Sequence, residues 1–551
     1  MVISQPEGLH IVDWVLIVLY AMVTIGLGVY FSRRQTSAKE YFVGSGHMNP
    51  VLIGVSLFAT LLSTISYLSM PGEAAGKGPV VALGMLALPL VYFVVAYGLL
   101  PVYMKHRVTS AYELLETRLG LSVRLLGAAM FLALRLVWMT LLIYLAANAM
   151  VVMMGISASW IPIIVMGTGI VSIVYTTLGG LRAVVVTDAM QTVLLFGGAI
   201  LVIVTVTFAC HGLSWLPVRL ETGGEHGLLH MKFLWQSNWD TQPFFSLDPK
   251  TRVTVLGTWA SVFVWYTATL GGDQTSVQRF MATRDVRAAR RALATQLMTG
   301  VTVQVTLCLV GFALLGYFMQ HPEYLPADMN VKDDADDLFP EFIANRLPIG
   351  VSGLVVAAMF AAAMSSVDSG VNSITAVVMT DFLERFGWHP ASERSRMRMA
   401  QALALAIGLV VVMGSGLMKY IEGNITVVTG KTVNLLTGPI FALFFFALFV
   451  PRAKPVAVWV GAICGVIAGA SIAFSGHLVY LMHSLWDVDP GWFNVRLITN
   501  VDEVTGQSWT TAEDVISFQW IGPVALSVNL VVGLLISYAL PARLNTQSDR
   551  V

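Results

Sequence analysis

A succession of apolar runs, each about 20 residues or longer, recurs from one end of this chain to the other. At the rise of an α-helix such a run crosses the hydrocarbon of a bilayer. Inside hydrocarbon only a helix or a closed barrel satisfies its own backbone N–H and C=O groups. Counted on length, there are about thirteen: 11–31, 49–73, 79–105, 121–154, 159–178, 183–211, 253–272, 292–319, 349–382, 397–418, 424–450, 455–475 and 515–541. With 56% hydrophobic and 12% charged residues among 551, the composition leaves little for a water-soluble core. The sequence predicts an all-α polytopic membrane protein, 1–551 forming a single transmembrane domain whose surroundings are the lipid bilayer. The first run keeps its place as an anchor, because Asp13 precedes a full-length apolar stretch with no basic start and no small-residue cleavage site.

The connections alternate in charge. Lys and Arg gather in 32–39, 105–124, the Leu181-Arg182 turn, 279–291, 385–398, 451–454 and the tail with Arg543, whereas the intervening segments are acidic or poor in bases, most clearly Asp333-Asp334-Ala335-Asp336-Asp337. Under the positive-inside rule this places the N-terminus outside and the C-terminus in the cytoplasm, across a plasma (inner) membrane. Two longer outside segments, 212–252 and 476–514, are expected to carry short interfacial helices. Cys210, Cys308 and Cys464 lie far apart without metal-like spacing and read as free packing residues.

No Walker motif, dinucleotide-type glycine loop or HExxH helix is present, which removes the usual primary pump, and nothing in the chain calls for a nucleic-acid partner. A secondary transporter, a channel or an intramembrane enzyme remains. The enzyme reading fails for want of a protease-type GxGD motif and of histidine pairs at metal-ligand spacing, so no catalytic residue is assigned.

Three polar features stand out. Asp188 sits in the otherwise almost uncharged stretch 183–212; a carboxylate at that depth needs a cation, a proton or water, with Arg182 on the adjoining turn as a structural alternative. The second run crowds Thr60, Ser63, Thr64, Ser66 and Ser69 together and ends in Pro71-Gly72, which predicts either an unwound helix with carbonyls free for a cation or simply close helix packing. In the ninth run Ala362, Ser365, Ser366 and Ser369 recur at helical spacing, with Asp368 one turn from Ser365. One strip thus offers several hard oxygens and few carboxylates, a donor set suited to a monovalent alkali ion.

In combination, Phe58-Ala-Thr-Leu-Leu-Ser-Thr-Ile-Ser-Tyr, Leu178-Gly-Gly-Leu-Arg-Ala-Val-Val-Val-Thr-Asp-Ala-Met-Gln, Asp273-Gln-Thr-Ser-Val-Gln-Arg and Ala361-Ala-Ala-Met-Ser-Ser resemble the sodium/solute symporters, over about residues 10 to 455. The resemblance implies a leucine-transporter-type five-plus-five inverted-repeat core: 11–31 as an extra N-terminal helix, 49–211 as the first repeat, 253–450 as the second, and two C-terminal helices in 455–541. It implies Na+ as the coupling ion, bound by the carbonyls of Ala59, Leu62 and Ala362 and the hydroxyls of Ser365 and Ser366. A second sodium is implied among Asp188, Ser365, Asp368 and Ser369, where Asp368 replaces the usual hydroxyl.

For the solute the resemblance points to Leu61, Ser63 and Ser66, to Tyr266 and Thr269, to Gln304, and to Gly430, Lys431 and Asn434; Gly430 stands where sugar carriers place a glutamine. Arg135 and Lys431 are membrane-depth cations that either neutralise a carboxylate solute, or respectively pair internally and reach back to water. The function expected is sodium-coupled import of a small polar organic solute by alternating access, working as a monomer. Proton coupling on the same fold, or a non-transporting sensor or channel, stays open at this point.

Overall fold

The structure, a computed structural model, describes residues 9–33, 38–44, 46–106, 108–223, 228–234, 238–239, 243, 245–327, 329–418, 425–501 and 508–541. Arg34 and the Arg543 tail, used above for orientation, lie outside the described residues. The helices are α1 Ile11–Ser32, α2 Ala38–Val43, α3 Pro50–Leu61, α4 Thr64–Gly76, α5 Pro79–His106, α6 Glu113–Leu119, α7 Leu121–Met154, α8 Ile161–Ala209, α9 Val255–Gly272, α10 Gln274–Met281, α11 Val286–Gln320, α12 Leu338–Asn345, α13 Val351–Val377, α14 Glu393–Ser415, α15 Ile425–Phe449, α16 Pro455–Ala473, α17 Ser475–Trp486 and α18 Ile521–Ala539.

Among the described residues ten helices are long and apolar enough to cross a membrane, or eleven if α3 and α4, bent by 70° at their junction, form one span. The expected thirteen is not reached by that measure, for two local reasons. Runs 159–178 and 183–211 fall within the single range Ile161–Ala209, but Gly180, at φ 55 and ψ −164, a conformation that favours glycine, divides it into two helices that this measure counts once. Run 253–272 forms α9, whose Trp, Tyr and Thr residues dilute its apolar character.

Where interfacial helices were expected outside, the first segment holds the antiparallel hairpin Val218–Gly223 with Leu228–Phe233. The second holds α17 and the hairpin Leu497–Val501 with Ser508–Ala512. Leu-Ile-Thr-Asn-Val is rich in β-branched residues, which favour an extended chain.

The α3–α4 break is written into its sequence. Pro50 starts α3 behind Asn49, whose side-chain oxygen accepts the Val51 N–H at 2.8 Å. At the far end Leu62 leaves the helix (φ −83, ψ 117), and Ser63 begins α4 by accepting the Ser66 N–H at 3.1 Å. One serine of the crowded stretch is therefore a cap.

Helix α13 lies at the centre and is buried along almost its whole length, packed on α8 and α7. Helix α1 packs against α8 and α13, and Asp13 in its first turn accepts the N–H groups of Gly350 and Gly353, both at 2.8 Å, at the start of α13. The fit leaves no room for a side chain at 353: a Cβ there would fall 2.5 Å from the Asp13 Cα. At the opposite flank α16 and α18 meet through Gly461, Gly465 and Gly469, a four-residue stripe that lets two backbones approach. A Cβ on Gly465 would stand 2.7 Å from the Ala525 carbonyl oxygen.

Candidate functional site

The broken helix meets α13 at the break. The Ser365 hydroxyl lies 3.0 Å from both the Ala59 and the Ala362 carbonyl oxygens, and the Ser366 hydroxyl reaches the Thr60 carbonyl at 3.4 Å. Leu62 is the residue at which the helix opens, and Thr64 ties the far lip by donating to the Met359 carbonyl at 3.2 Å. The structure thus brings the hydroxyl strip of α13 against backbone oxygens at the α3–α4 break. Ala59, Ala362, Ser365 and Ser366 are all buried.

Beside this pocket lies a second polar cluster. Asp188 accepts from the Ser56 hydroxyl at 2.5 Å and from Arg279 Nη2 at 3.2 Å. Arg279 also donates from Nε to Ser56 at 2.8 Å, from Nη1 to the Thr275 carbonyl at 3.2 Å, and from Nη2 to the Ser369 hydroxyl at 2.5 Å. Ser369 donates to Asp368 at 3.0 Å and sits 2.9 Å from the Thr60 hydroxyl, while the Tyr175 hydroxyl donates to Asp368. Asp188, Asp368 and Arg279 have no exposed surface. Arg279, counted in the sequence among the bases of a cytoplasmic connection, is in fact the largest fully buried side chain. Arg182, the sequence-based partner for Asp188, pairs with Glu40 at 3.3 Å instead.

A cavity on the other side of Thr60 is lined by Leu61, Arg135, Trp138, Trp265, Thr269 and Asp273, with Val433 and Thr437 from α15. It unites Leu61, Arg135 and Thr269 of the expected solute residues. Arg135 is buried and donates from Nε and Nη2 to one oxygen of Asp273, at 3.0 and 2.6 Å. Asp273 spends its other oxygen capping α10 through the Thr275 N–H at 2.8 Å.

The remaining expected solute residues do not line this cavity. Ser63 and Ser66 bond to each other at 3.2 Å, and the Gln304 amide contacts the Met70 sulfur at 3.6 Å. Half-buried Tyr266 stacks edge-on against Trp265, a cavity wall, with ring centroids 4.7 Å apart. Gly430, Lys431 and Asn434 face the segment that leads into α18. A Cβ on Gly430 would meet the Phe518 ring at 2.7 Å, Lys431 pairs with Asp514 at 2.6 Å, and the Asn434 amide donates to the Gly430 carbonyl at 3.0 Å. The α15 positions that do reach the cavity are the next turn's, Val433 and Thr437.

At the C-terminal end of α4, Glu73 grips Arg252 through two parallel bonds of 2.6 and 2.8 Å. Gly72 lies under Asp336: a Cβ there would come 2.4 Å from its Oδ1. Burial pushes the Asp336 carboxyl up to about 6; Lys77 opposes that rise and Glu73 adds to it.

Six participants escaped the sequence reading: Arg279, Ser56, Asp273 in its role as partner of Arg135, Tyr175, Trp138 and Trp265. Arg279 and Asp273 both stand in the quoted Asp273-to-Arg279 motif, which gave a signal without a role. The tryptophans carried none.

A family model described as the sodium:solute symporter family matches residues 41–469. The chain belongs to the sodium:solute symporter family. The sodium/sialic acid symporter NanT of Aliivibrio fischeri is 30% identical over 462 residues, 84% of this chain and 88% of that one. The sodium/sialic acid symporter SiaT of Proteus mirabilis is 28% identical over 482 residues, 87% and 93% of the two chains. A substrate-bound, outward-open structure of a Na+-coupled sialic acid symporter aligns with a TM-score of 0.77 at 25% identity, covering 97% of this chain and 99% of the other. The fold is accordingly of the leucine-transporter type, and the protein is a sodium-coupled solute symporter, an integral membrane transporter in a family of transporters.

Proposed function

We propose that this symporter imports a small organic carboxylate together with sodium, by alternating access, in the plasma (inner) membrane. The sodium ion lies between the α3–α4 break and α13, bound by the carbonyls of Ala59, Leu62 and Ala362 and the hydroxyls of Ser365 and Ser366. One observation carries this reading: the Ser365 hydroxyl is 3.0 Å from carbonyl oxygens on two different helices, so an ion seated there joins α3 to α13. A hydroxyl and freed backbone carbonyls are hard, uncharged ligands that suit a monovalent cation.

The solute site proposed is the neighbouring cavity of Leu61, Trp138, Trp265 and Thr269, about 30 Å³ in this conformation and so widened when a solute enters, with Tyr266 behind Trp265 and Arg135 set to meet the carboxylate. A planar guanidinium in an aromatic-walled cavity suits a carboxylate, and the two named relatives are symporters of sialic acid, itself a carboxylate. Ser63, Ser66, Gln304, Gly430, Lys431 and Asn434 stand away from that cavity and are not assigned to the solute.

The inverted repeats run over 49–211 and 253–450, flanked by α1 and by the two C-terminal spans α16 and α18. The alternating charge of the connections supports an outside N-terminus and a cytoplasmic C-terminus. The reading calls on no second chain, and the working unit proposed is a monomer.

The test is uptake of a panel of sugar acids and monocarboxylates into proteoliposomes with an inward sodium gradient. Saturable, sodium-dependent uptake of an acid is expected, with its neutral amide analogue much weaker. A neutral solute transported best would overturn the assignment.

A further inference from the structure

We infer that Arg287, Arg290 and Arg291, at the start of α11, hold the phosphate headgroup of an anionic bilayer phospholipid whose acyl chains lie along α5 and α11. Arg290 is the fixed member. Residues Val94–Leu99 of α5 wind as a π-helix, a wider turn often met at functional sites. Within it the Ala96 carbonyl accepts Arg290 Nε at 2.9 Å, and the guanidinium carbon stands 4.2 Å from the centre of the Tyr97 ring. The arginine is thus held in place without being neutralised.

Charge balance sets this group apart. Elsewhere Arg124 and Arg385 meet Glu116, Arg396 meets Glu384 and Arg182 meets Glu40. Among the described residues no acid pairs with Arg287, Arg290 or Arg291. The nearest acid in sequence, Asp285, caps α11 through the Ala288 N–H at 2.8 Å and pairs with Arg284 at 3.1 Å. Arg287 and Arg291 are exposed one helical turn apart, and Arg290 adjoins them on the side of Tyr97. The group therefore offers guanidinium donors to a phosphate.

The apolar surroundings make that phosphate a lipid's. On α5, Leu86, Leu90, Phe93 and Tyr97 recur every three or four residues and are exposed, with the Phe93 and Tyr97 rings stacked at 6.1 Å. On α11, Met298 and Val305 are exposed on the face that carries Arg291. The two helices are antiparallel: Arg290 meets Tyr97 at one end, and at the other Trp239 lies against both Gly78, just before α5, and Phe312 of α11. Both apolar stripes therefore leave the arginines in the same direction, into the span, as the two chains of a phospholipid do. Uncompensated positive charge selects an anionic headgroup over a zwitterionic one.

The experiment is native mass spectrometry of the purified full-length protein in detergent, titrated with phosphatidylglycerol or with phosphatidylcholine of the same acyl chains. Phosphatidylglycerol is expected to be retained about fivefold or more above phosphatidylcholine. Arg287→Gln with Arg291→Gln should lose most of that margin, and so should Arg290→Gln. Arg394→Gln, which removes an exposed arginine of α14, is the control and should keep it. Equal retention of the two lipids, or a preference that survives the substitutions on α11, would overturn the inference. An equal loss in Arg394→Gln would do the same, by reducing the effect to net charge. Inorganic phosphate that displaces phosphatidylglycerol at matched concentration would replace the lipid by a free anion and overturn the assignment. Should Arg290→Gln fail to fold, the exposed pair decides alone.

Discussion

Arg135 rests Nε and Nη2 on a single oxygen of Asp273, at 3.0 and 2.6 Å, in the wall of the cavity proposed for the solute. A carboxylate solute reaching that guanidinium competes with Asp273, so the two acids share one cation. Asp273→Asn keeps a cap for α10 but drops the competitor. Its apparent affinity for an acidic solute is expected to rise severalfold, while Arg135→Met loses tenfold or more for the acid and much less for a neutral analogue, since a desolvated ion pair is worth a few kcal/mol. Competition uptake assays with matched acid and amide check both; equal losses in Arg135→Met would give it a purely structural role.

Removal of the Ser365 hydroxyl strikes the ion rather than the fold. Ser365→Ala deletes one of five proposed ligands, and the sodium concentration for half-maximal uptake is expected to rise at least tenfold, about 1.4 kcal/mol. Ser352→Ala, on the same helix but far from the break, serves as the control and should leave it unchanged. Sodium titrations of uptake decide the matter.

Acidity should strengthen the contact of Asp336 with the C-terminal end of α4. Its carboxyl is raised from 3.8 to about 6 chiefly by burial, so the folded state binds that proton more tightly than the unfolded chain does. The contribution is complete below about pH 4 and lost as pH climbs through 6. Asp336→Asn mimics the protonated form. Thermal melts of the two proteins are expected to agree near pH 4 and to separate by a few degrees by pH 7, with the native protein lower; parallel curves would exclude the effect.

The glycine stripe of α16 offers a test of packing alone. Gly465→Val places branched carbon where even a Cβ would lie 2.7 Å from the Ala525 carbonyl. Helices α16 and α18 must then separate, at a cost of about 1–3 kcal/mol. Uptake by the surviving protein should keep its sodium dependence, since no proposed ion or solute residue lies on either helix.

What the sequence revealed was whatever one helix can express by itself. The hydroxyl strip at 365, 366 and 369 follows from helical spacing, while the clustered Ser and Thr left an unwound helix and close packing both open; the helix breaks at Leu62, and Pro71, expected to break its end, stays inside α4. Asp188 was legible as buried, since its neighbours are apolar. Its partner was not: Arg279 lies 91 residues away, and its charge resembles that of the cytoplasmic bases that follow it. Lys431 failed for a related reason. An apolar run marks depth along a helix but not the helix's rotation, and rotation points Lys431 to Asp514 rather than to the cavity. The hairpins of the outer segments were missed because amphipathic loops carry no period long enough to fix their form.

Asp13 stands in the first turn of α1, and its carboxylate holds the first amides of α13. The rest of α1 presents Ile11, Val15 and Met22 to the surroundings, each more than half exposed. One face of α1 is buried from Asp13 through Ile17, Tyr20 and Thr24 to Gly28 against α8 and α13, and the other face is open. A change in bilayer thickness that tilted α1 would therefore bear, through Asp13, on the first turn of the helix that carries Ser365.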